Sequence, residues 1–234
     1  MSKLSIVLIT YNSEKYLKEV LESALFADEV LILDSNSTDD TKKIAIDLGV
    51  KVYNHDWMGF GKQKQKAVDL AKNSWVFVLD SDEVITNELQ EEIKNELKNP
   101  AAKAYEIPRL NYFFSKPIKR CGLYPDFTIR LFDKREAKFS LDRVHEKVIC
   151  DKEVKKFKNH LLHYAYESIE EFITKQNRYS SLNAKPNRIK ALFNPIWTFI
   201  KIYLLKRGFL EGWRGFIIAK LYAQYTFWKY IKRG

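Results

Sequence analysis

The sequence predicts an α/β fold built on a mostly parallel β-sheet, with helices on both faces and a helical C-terminal extension. Three observations lead to this prediction. Apolar runs alternate with amphipathic helical patterns over the first hundred residues, the alternation ends at Pro100, and the chain from Ser168 onward is mainly helical. Strands that alternate with helices form parallel sheets. With 234 residues, 46% of them hydrophobic, the chain is sufficient for one domain with an elaborated end.

Four short apolar runs in the first hundred residues are typical of strands, and a helical pattern follows each of them. We predict strands over residues 5–9, 29–33, 51–53 and 75–79, and helices over residues 17–25, 40–48, 63–72 and 87–97. The first run, SIVLI, is continuously apolar, as a strand covered on both faces requires. Gly49 is placed to end the second helix, and Asn87 with Gln90 forms a capping-box pair in the fourth.

The second half of the chain changes from strand-like to helical. Strand-like segments cover residues 104–114, 128–132, 146–150 and 160–164, and helical patterns cover residues 168–184, 196–206 and 212–231. Ser168 and Glu171 form another capping-box pair. We therefore predict a domain of residues 1–165, with halves 1–100 and 101–165, and a helical, basic and aromatic extension of residues 166–234.

Charge and cysteine content limit the class of protein. The net charge of +10 favours an acidic partner such as a nucleotide phosphate, a nucleic acid or an anionic membrane. Cys121 and Cys150 are too few for a disulfide framework or a zinc set, which fits a reduced, cytoplasmic protein. The N-terminal apolar run is too short for a secretory signal, and no stretch reaches the ~18 apolar residues of a membrane span.

Polar clusters follow all four predicted strands of the first half. They comprise Thr10-Tyr11-Asn12, residues 34–40, residues 54–63 and residues 80–83. One such cluster is an ordinary turn or helix cap. Four clusters at the carboxyl edge of one parallel sheet, where ligands bind in such folds, predict a polar ligand site.

The residue types in these clusters indicate which ligand the site takes. Asp80-Ser81-Asp82 offers hard oxygen ligands, which suit Mg²⁺ or Mn²⁺ better than zinc. The segment GFGKQKQK adds Lys62, Lys64 and Lys66 but lacks the spacing of a P-loop or a dinucleotide-binding loop. A nucleoside diphosphate held through a divalent metal fits better than ATP hydrolysis or hydride transfer.

Ordered motifs along the whole chain resemble a known family. SIVLITYNSEKYLKEVLESA, LDSNSTDDT and LDSDE resemble the N-terminal half of the family 2 inverting glycosyltransferases, which have the Rossmann-like GT-A fold. CGLYPDFTIRLF, FSLDRVHEKV, HLLHYAYES and KQNRYSSLNA are similar to bacterial lipopolysaccharide-core glucosyltransferases of the WaaE/KdtX and LgtF type. The resemblance implies a nucleotide-sugar half at 1–100, an acceptor half at 101–165, and transfer of glucose from UDP-glucose to a core sugar.

The resemblance also implies roles for individual residues. Those assigned to the nucleotide sugar are Thr10, Tyr11, Asn12, Glu14, Asp34, Ser35, Ser37, Lys62, Asp80, Ser81 and Arg130. Asp34 is expected to read the uracil, and Asp80 to lie near the ribose and the metal. Asp82 is expected to bind the metal directly. His163 is a further candidate for a metal or diphosphate contact, with a packed strand-end histidine as the alternative.

A carboxylate is expected to take the proton from the acceptor hydroxyl. Glu146 is the first candidate, because it stands where the family's base usually follows the acceptor loop, and Asp126 is the second. A surface acid paired with Arg143 or Lys147 is the alternative for Glu146. The Gln-x-x-Arg-Trp signature of the processive synthases is missing from the sequence, which favours a single transfer over polymerisation.

Aromatic and aliphatic residues alternate with Lys and Arg over residues 194–234, where Glu211 is the one acid. On a helix this pattern gives an apolar stripe flanked by cations, which suits an anionic bilayer. The family implies a lipid-anchored saccharide acceptor, so we expect a cytoplasmic protein peripheral on the inner membrane face. Packing against the catalytic domain or a homo-oligomer through these helices is the alternative.

Two other classes are weighed against this interpretation. A nucleic-acid-binding module is disfavoured because the carboxylates of residues 34–40 and 80–83 repel phosphate and no binding signature is present. A sugar nucleotidyltransferase also uses a sheet, a metal and a nucleotide, but usually has a basic Gly-rich loop after the first strand. A glycosyltransferase acting on another cell-surface glycan or on a protein stays open.

Overall fold

The computed structural model describes residues 2–140, 146–166 and 168–232. Its strands are β1 (Leu4–Thr10), β2 (Glu29–Asp34), β3 (Lys51–Asn54), β4 (Trp75–Leu79), β5 (Glu83–Ile85), β6 (Ala104–Phe113), β7 (Lys116–Pro117), β8 (Asp126–Asp133), β9 (Ala137–Phe139), β10 (Val148–Cys150), β11 (Val154–Lys156) and β12 (Leu161–Tyr166). Its α-helices are α1 (Glu14–Ala24), α2 (Thr41–Asp47), α3 (Phe60–Leu70), α4 (Asn87–Glu96), α5 (Ile169–Leu182), α6 (Arg188–Ile200) and α7 (Trp213–Ile231). A π-helical turn, Lys201–Leu205, and a 3₁₀ turn, Gly208–Glu211, connect α6 to α7.

The predicted parallel sheet is confirmed, and it forms the first part of a larger mixed sheet. The strand order is β3-β2-β1-β4-β8-β6-β12-β5, and β1 to β4 run parallel. β8 is antiparallel to both β4 and β6. Thr10 pairs in register with Asp34, which pairs with Asn54, so the parallel strands end at one edge. This register brings the polar clusters of the sequence together.

Residues group into two compact units, each with its own apolar core. The first unit comprises the described residues within 2–109 and 126–163. Strands β1, β2 and β4 supply fully buried residues to its core. The second comprises residues 110–125 and 164–232 as described, with Phe113, Phe172 and Ile218 at its centre. Residues 110–125, which the sequence places in the acceptor half, therefore cluster with the C-terminal helices.

Two local predictions are wrong. The cap of α4 is Thr86, whose hydroxyl accepts a hydrogen bond from the Leu89 amide, so the predicted Asn87–Gln90 capping box does not form. The second C-terminal helix begins at Arg188 rather than at residue 196. Asn187 caps it, and Pro195 lies inside the helix instead of before its start, a position that costs one backbone hydrogen bond.

The other C-terminal helices agree with the sequence prediction. Ser168 caps α5 by accepting a hydrogen bond from the Glu171 amide, as the capping-box pair predicted. Helix α7 covers residues close to the predicted 212–231. Among the described residues, none of the helices is long and apolar enough to cross a membrane.

Candidate active site

The site begins with Asp34, at the end of β2. Its side chain is fully buried and accepts three hydrogen bonds. The Thr10 hydroxyl donates to Oδ2 at 2.9 Å, the Ser37 amide donates to Oδ1 at 2.8 Å, and the Ser37 hydroxyl donates to Oδ2 at 2.5 Å. The structure thus joins three of the predicted residues in one network, and in it the carboxylate fixes the loop after β2.

The loops after β1 and β2 are tied to each other by side chains near the surface. The Asn12 amide donates to the Ser37 hydroxyl, and Asn12 Oδ1 accepts from the Thr38 amide, both at 2.9 Å. The Glu14 carboxylate accepts from the Asp40 amide. Tyr11, beside this network, exposes most of its ring. This edge therefore presents an aromatic face beside a fixed backbone.

The third loop contributes through α3, and the contributing residues differ from the one assigned. Lys62 is exposed on this helix. Gln63 is buried and donates to the Ser35 hydroxyl at 3.0 Å, and Lys64 is buried with Nζ 2.9 Å from Asp80 Oδ1. Each residue of an α-helix is rotated by about 100° from the one before it, so Lys62 and Lys64, two positions apart, face different directions.

Asp80, directly after β4, stands between two buried cations. Arg130 of β8 donates through one terminal nitrogen to Asp80 Oδ2 and to Glu83 Oε1, each at 2.5 Å. Glu83 is fully buried, and it also accepts from the Asp80 amide at 3.1 Å. Arg109 lies 3.5 Å from the same Glu83 oxygen. The acidic turn is therefore largely neutralised by cations of the chain itself.

These contacts set the protonation of Asp80 and Arg130. Burial alone raises the pKa of Asp80, but the charges of Arg130 and Lys64 and their hydrogen bonds hold it well below its usual range. For Arg130, burial lowers the pKa, but the carboxylates of Asp80 and Glu83 raise it above its ordinary value. Both groups are consequently charged at neutral pH.

Lys64 also connects the acidic turn to Glu146. Its Nζ lies 3.5 Å from Glu146 Oε1, while it holds Asp80 from the other side. The Glu146 side chain retains 21% exposure, so solvent or a ligand reaches it. Arg143, one of the two surface partners considered from the sequence, lies outside the described residues.

Asp126, the second candidate base, is held differently. At the start of β8 it accepts a hydrogen bond from Arg109 at 2.5 Å, and its side chain is 40% exposed. Arg109 in turn faces Glu83, so Asp126 lies at the outer end of an ionic chain that runs inward to Arg130. Of the two candidates, Glu146 is the one linked through a lysine to Asp80.

Asp82 and His163 form a second, more open group. His163 pairs in register with Glu83 across β12 and β5, and its Nε2 lies 3.6 Å from Asp82 Oδ2. The Asp82 side chain is 35% exposed, whereas that of His163 is 14% exposed. Ser81, between the two aspartates, is partly buried. The two aspartates therefore differ in their partners more than in exposure: Asp80, 26% exposed, lies between Lys64 and Arg130, whereas Asp82 faces His163.

The donor set can be compared with the metal expected from the sequence. Within the described ranges, no three His, Cys, Asp or Glu side chains are arranged to hold a metal ion by themselves. Mg²⁺ typically takes one or two carboxylates and completes its coordination with phosphate oxygens and water. Asp82, with His163 beside it, fits such a partial set, because its carboxylate is 35% exposed and forms no ion pair with a Lys or Arg among the described residues.

Sequence reasoning missed four residues of this arrangement: Gln63, Lys64, Glu83 and Arg109. Lys64 was grouped with its neighbouring lysines, and a signal for it was available, because it falls on the same face of α3 as the buried Ala67 and Val68. The pairing of Glu83 with cations depends on residues far away in the chain, and no local pattern reports it.

Comparison with known proteins places these observations in context. The family model described as Glycosyl transferase family 2 matches residues 5–140. An uncharacterised glycosyltransferase of Rickettsia typhi is 32% identical over 99% of this chain and 87% of its own length. The lipopolysaccharide core biosynthesis glycosyltransferase LpsC of Rhizobium meliloti is 28% identical over 96% of this chain and 89% of its own length.

Solved structures give the same result for the fold. The crystal structure of residues 1–349 of S. aureus TarS superposes with a TM-score of 0.51 at 17% identity, covering 95% of this chain and 90% of that one. The same TarS fragment in complex with UDP gives a TM-score of 0.50 at 19% identity, covering 90% and 75%. The expected GT-A architecture is thereby confirmed.

Proposed function

Because the chain belongs to glycosyl transferase family 2, we propose that this glycosyltransferase moves a hexose, glucose from UDP-glucose, with inversion onto a core sugar of lipopolysaccharide. The observation that carries the proposal is the contrast within Asp80-Ser81-Asp82. Buried Lys64 and Arg130 form ion pairs with the first carboxylate, 26% exposed, whereas the second, 35% exposed, lies beside His163 at the edge where four parallel strands end. Ligands of such sheets bind at that edge.

The donor's nucleotide is placed along the same edge. We assign the base and ribose to the loops after β1 and β2, where Tyr11 is exposed and Asn12, Glu14, Ser35 and Ser37 are fixed by hydrogen bonds. Asp34 keeps this loop in place by accepting hydrogen bonds from Thr10 and Ser37. Its carboxylate meets the uracil when these hydrogen bonds are released. TarS, which shares the fold, has been crystallised with UDP.

In this proposal the diphosphate lies next to Asp82 and His163, and these two residues would hold Mg²⁺ or Mn²⁺. The metal, when bound, neutralises the negative charge that develops on the departing diphosphate. Lys62 is exposed on α3 and supplies a further positive charge from the surface. Because Arg130 is almost fully buried, it acts on the donor indirectly, through Asp80. Its hydrogen bond holds the Asp80 carboxylate in one orientation.

Glu146 takes the proton from the acceptor hydroxyl. The acceptor oxygen then forms a bond to the anomeric carbon, and the bond from that carbon to the diphosphate breaks on the opposite face. The Nζ of Lys64 lies 3.5 Å from the Glu146 carboxylate. Asp126 is the second candidate, but Arg109 already binds its carboxylate, so proton transfer to it competes with that ion pair.

The choice of acceptor is supported by LpsC, which resembles this chain over nearly the whole length of both proteins and takes part in lipopolysaccharide core biosynthesis. A core sugar of this kind is carried on a lipid anchor. The protein therefore meets its acceptor at the inner face of the cytoplasmic membrane, and we propose peripheral contact there.

A panel of nucleotide sugars tests the proposed reaction. We expect the fastest UDP release from UDP-glucose, dependent on Mg²⁺ or Mn²⁺ and on a truncated lipopolysaccharide core as acceptor. Release of pyrophosphate from UTP and a sugar phosphate would instead identify a nucleotidyltransferase. Turnover with a different glycan or with a protein acceptor, and none with the core, would reassign the acceptor.

The base is tested by Glu146→Gln and Asp126→Asn, with Glu153→Gln as the matched change at an exposed acid. Removing a general base typically lowers the rate ~10²–10⁴-fold. We expect this loss in Glu146→Gln, with unchanged UDP-glucose binding by thermal shift, and a smaller loss in Asp126→Asn. A wild-type rate in Glu146→Gln would remove Glu146 from this role.

A further inference from the structure

Helix α6 presents its apolar side to solvent. Six large apolar residues, 36–73% exposed, lie on it: Ile189, Leu192, Phe193, Ile196, Trp197 and Ile200. At 3.6 residues per turn these positions fall within an arc of roughly 140°. Ala191 is the one residue of α6 classed as buried, and on that inner side Thr198 hydrogen-bonds to Thr226 of α7 at 3.2 Å. The usual amphipathic arrangement is therefore reversed.

The exposed apolar surface continues beyond α6. The turns that follow it and the start of α7 add five large exposed side chains: Leu204, Leu205, Phe209, Leu210 and Trp213. Single exposed apolar residues are ordinary in soluble proteins, but a continuous set on adjacent elements marks an interaction surface. We name α6's six residues and these five the apolar face.

Cations accompany this face. Residues 185–232 contain ten Lys and Arg residues against the single acid Glu211. Glu211 already accepts hydrogen bonds from the amides of Lys119 and Arg120, both at 2.9 Å. On α6, Arg188 and Lys190 lie on the two sides of the apolar arc. The segment that carries the apolar face is thus strongly basic.

One part of the positive charge forms a pocket beside the start of α6. The pocket has a volume of about 430 Å³ and is lined by Lys185, Pro186, Asn187, Lys190, Lys229 and Tyr230. Its backbone is fixed, because the amides of Lys185 and Asn187 donate to the carbonyls of Lys229 and Tyr230 at 2.9 Å. The N-terminus of α6 adds a partial positive charge at the same place.

We propose that the apolar face docks on an anionic bilayer, with α6 lying in the plane of the interface. Its aromatic and aliphatic side chains enter the boundary between headgroups and acyl chains, while the pocket formed by Lys185, Lys190 and Lys229 receives headgroup phosphates. The inference rests on the proposed function in one respect: the lipid-anchored acceptor is what brings the enzyme to a membrane.

Charge decides between a bilayer and a second copy of the chain. A twofold contact through this face would bring the cations that flank it, Arg188 and Lys190, into one interface with the same cations of the second copy. Like charges placed together across an interface oppose association. An anionic lipid surface, in contrast, is attracted by the same cations that flank the apolar arc.

Vesicle co-sedimentation of the full chain tests the proposal. The vesicles are phosphatidylcholine alone or an equimolar mixture with phosphatidylglycerol, and neither contains a saccharide acceptor. The apolar variant is Ile196→Glu/Trp197→Glu, and its control is Ile46→Glu, at an equally exposed apolar position on α2. The charge variant is Lys190→Glu/Lys229→Glu, and its control is Lys18→Glu/Lys43→Glu.

We expect the wild type to bind the anionic vesicles, and to bind them less at high salt. The apolar variant and the charge variant should each lose at least about tenfold in the partition coefficient, whereas both controls should keep it. Failure of the wild type to sediment, or equal losses in the controls, would overturn the proposal. A dimer in sedimentation velocity that only the apolar variant dissociates, with unchanged vesicle binding, would assign the face to self-association.

Turnover with a soluble acceptor separates this result from the proposed function. A protein that transfers sugar in solution but ignores vesicles refutes the docking surface alone. A protein that binds vesicles but releases no UDP refutes the proposed reaction alone.

Discussion

The sheet edge of the first unit and helix α6 of the second depart from the usual distribution of residues in opposite ways. At the sheet edge, charged groups are buried: Glu83 and Arg130 are almost fully enclosed, and Asp80, 26% exposed, completes their network. On α6, Ile196 and Trp197 are among the large apolar side chains that stay exposed. Buried charge and exposed apolar surface both cost free energy, so each departure points to function.

The two departures differ in how the cost is met. Buried charges at the sheet edge are compensated inside the chain, because each carboxylate has a cation within contact distance. The six exposed apolar residues of α6 have no comparable compensation among the described residues that surround them, and their side chains are open to solvent. The first arrangement has its counter-charges within the protein, whereas the second requires a partner. Four experiments test this contrast.

Arg130→Met should have the largest effect on stability. It leaves Asp80 and the fully buried Glu83 without their shared cation, and breaking a buried pair in this way typically costs ~3–5 kcal/mol. Chemical denaturation measures the loss. Lys94→Met, which removes an exposed ion pair with Glu91, is the control and should cost less than ~1 kcal/mol. Equal effects of the two changes would remove the distinction between the network and the surface.

Asp82→Asn should abolish stabilisation by the donor while leaving the free protein stable. A nucleotide and metal at about a hundred times their dissociation constant stabilise a protein by ~2.7 kcal/mol. The thermal shift produced by UDP with Mn²⁺ should therefore be lost in Asp82→Asn, and in the wild type when the metal is chelated. Asp126→Asn should keep the shift. A full shift in Asp82→Asn would show that this carboxylate does not hold the metal.

Acid should weaken the sheet-edge network. The pKa of Asp80 in the folded chain lies well below its usual value, because Arg130 and Lys64 outweigh the effect of burial. Its contribution to stability is therefore complete above the unfolded-state pKa, about 4, and is lost as the pH falls through the folded-state pKa. The difference in unfolding free energy between wild type and Asp80→Asn should narrow with acid. A difference that stays constant from neutral to acidic pH would contradict this coupling.

The sequence predicted the architecture because the signals for it are local. Apolar runs and helical periodicity located the strands β1 to β4. Because parallel strands end together at one edge of the sheet, the sequence alone also placed Thr10, Asp34 and Asp80 at that edge. The capping pair of α5 is equally local, since Ser168 and Glu171 are three residues apart.

The electrostatics of the site could not be predicted in this way. Arg130 meets Glu83 across 47 positions of the chain, and the contact depends on the register of β8, β4 and the turn to β5. Among three alternating lysines of α3, burial selects Lys64, which requires knowing where the helix begins and which side packs. The orientation of α6 has the same origin, because an apolar stripe does not itself say whether a core or solvent covers it.

The smallest expected effect is also the sharpest test of the contrast. Ile196→Glu/Trp197→Glu removes two large apolar side chains, yet both are more than half exposed, so the unfolding free energy should change by less than ~1 kcal/mol. Ile218→Ala, in the buried core of the same unit, should cost ~2–5 kcal/mol. A large loss from the first pair would mean that α6 uses these residues to hold the fold, which removes the reason to seek a partner for them. If this variant loses negligible stability and also fails to bind anionic vesicles, the face serves recognition and not the stability of the fold.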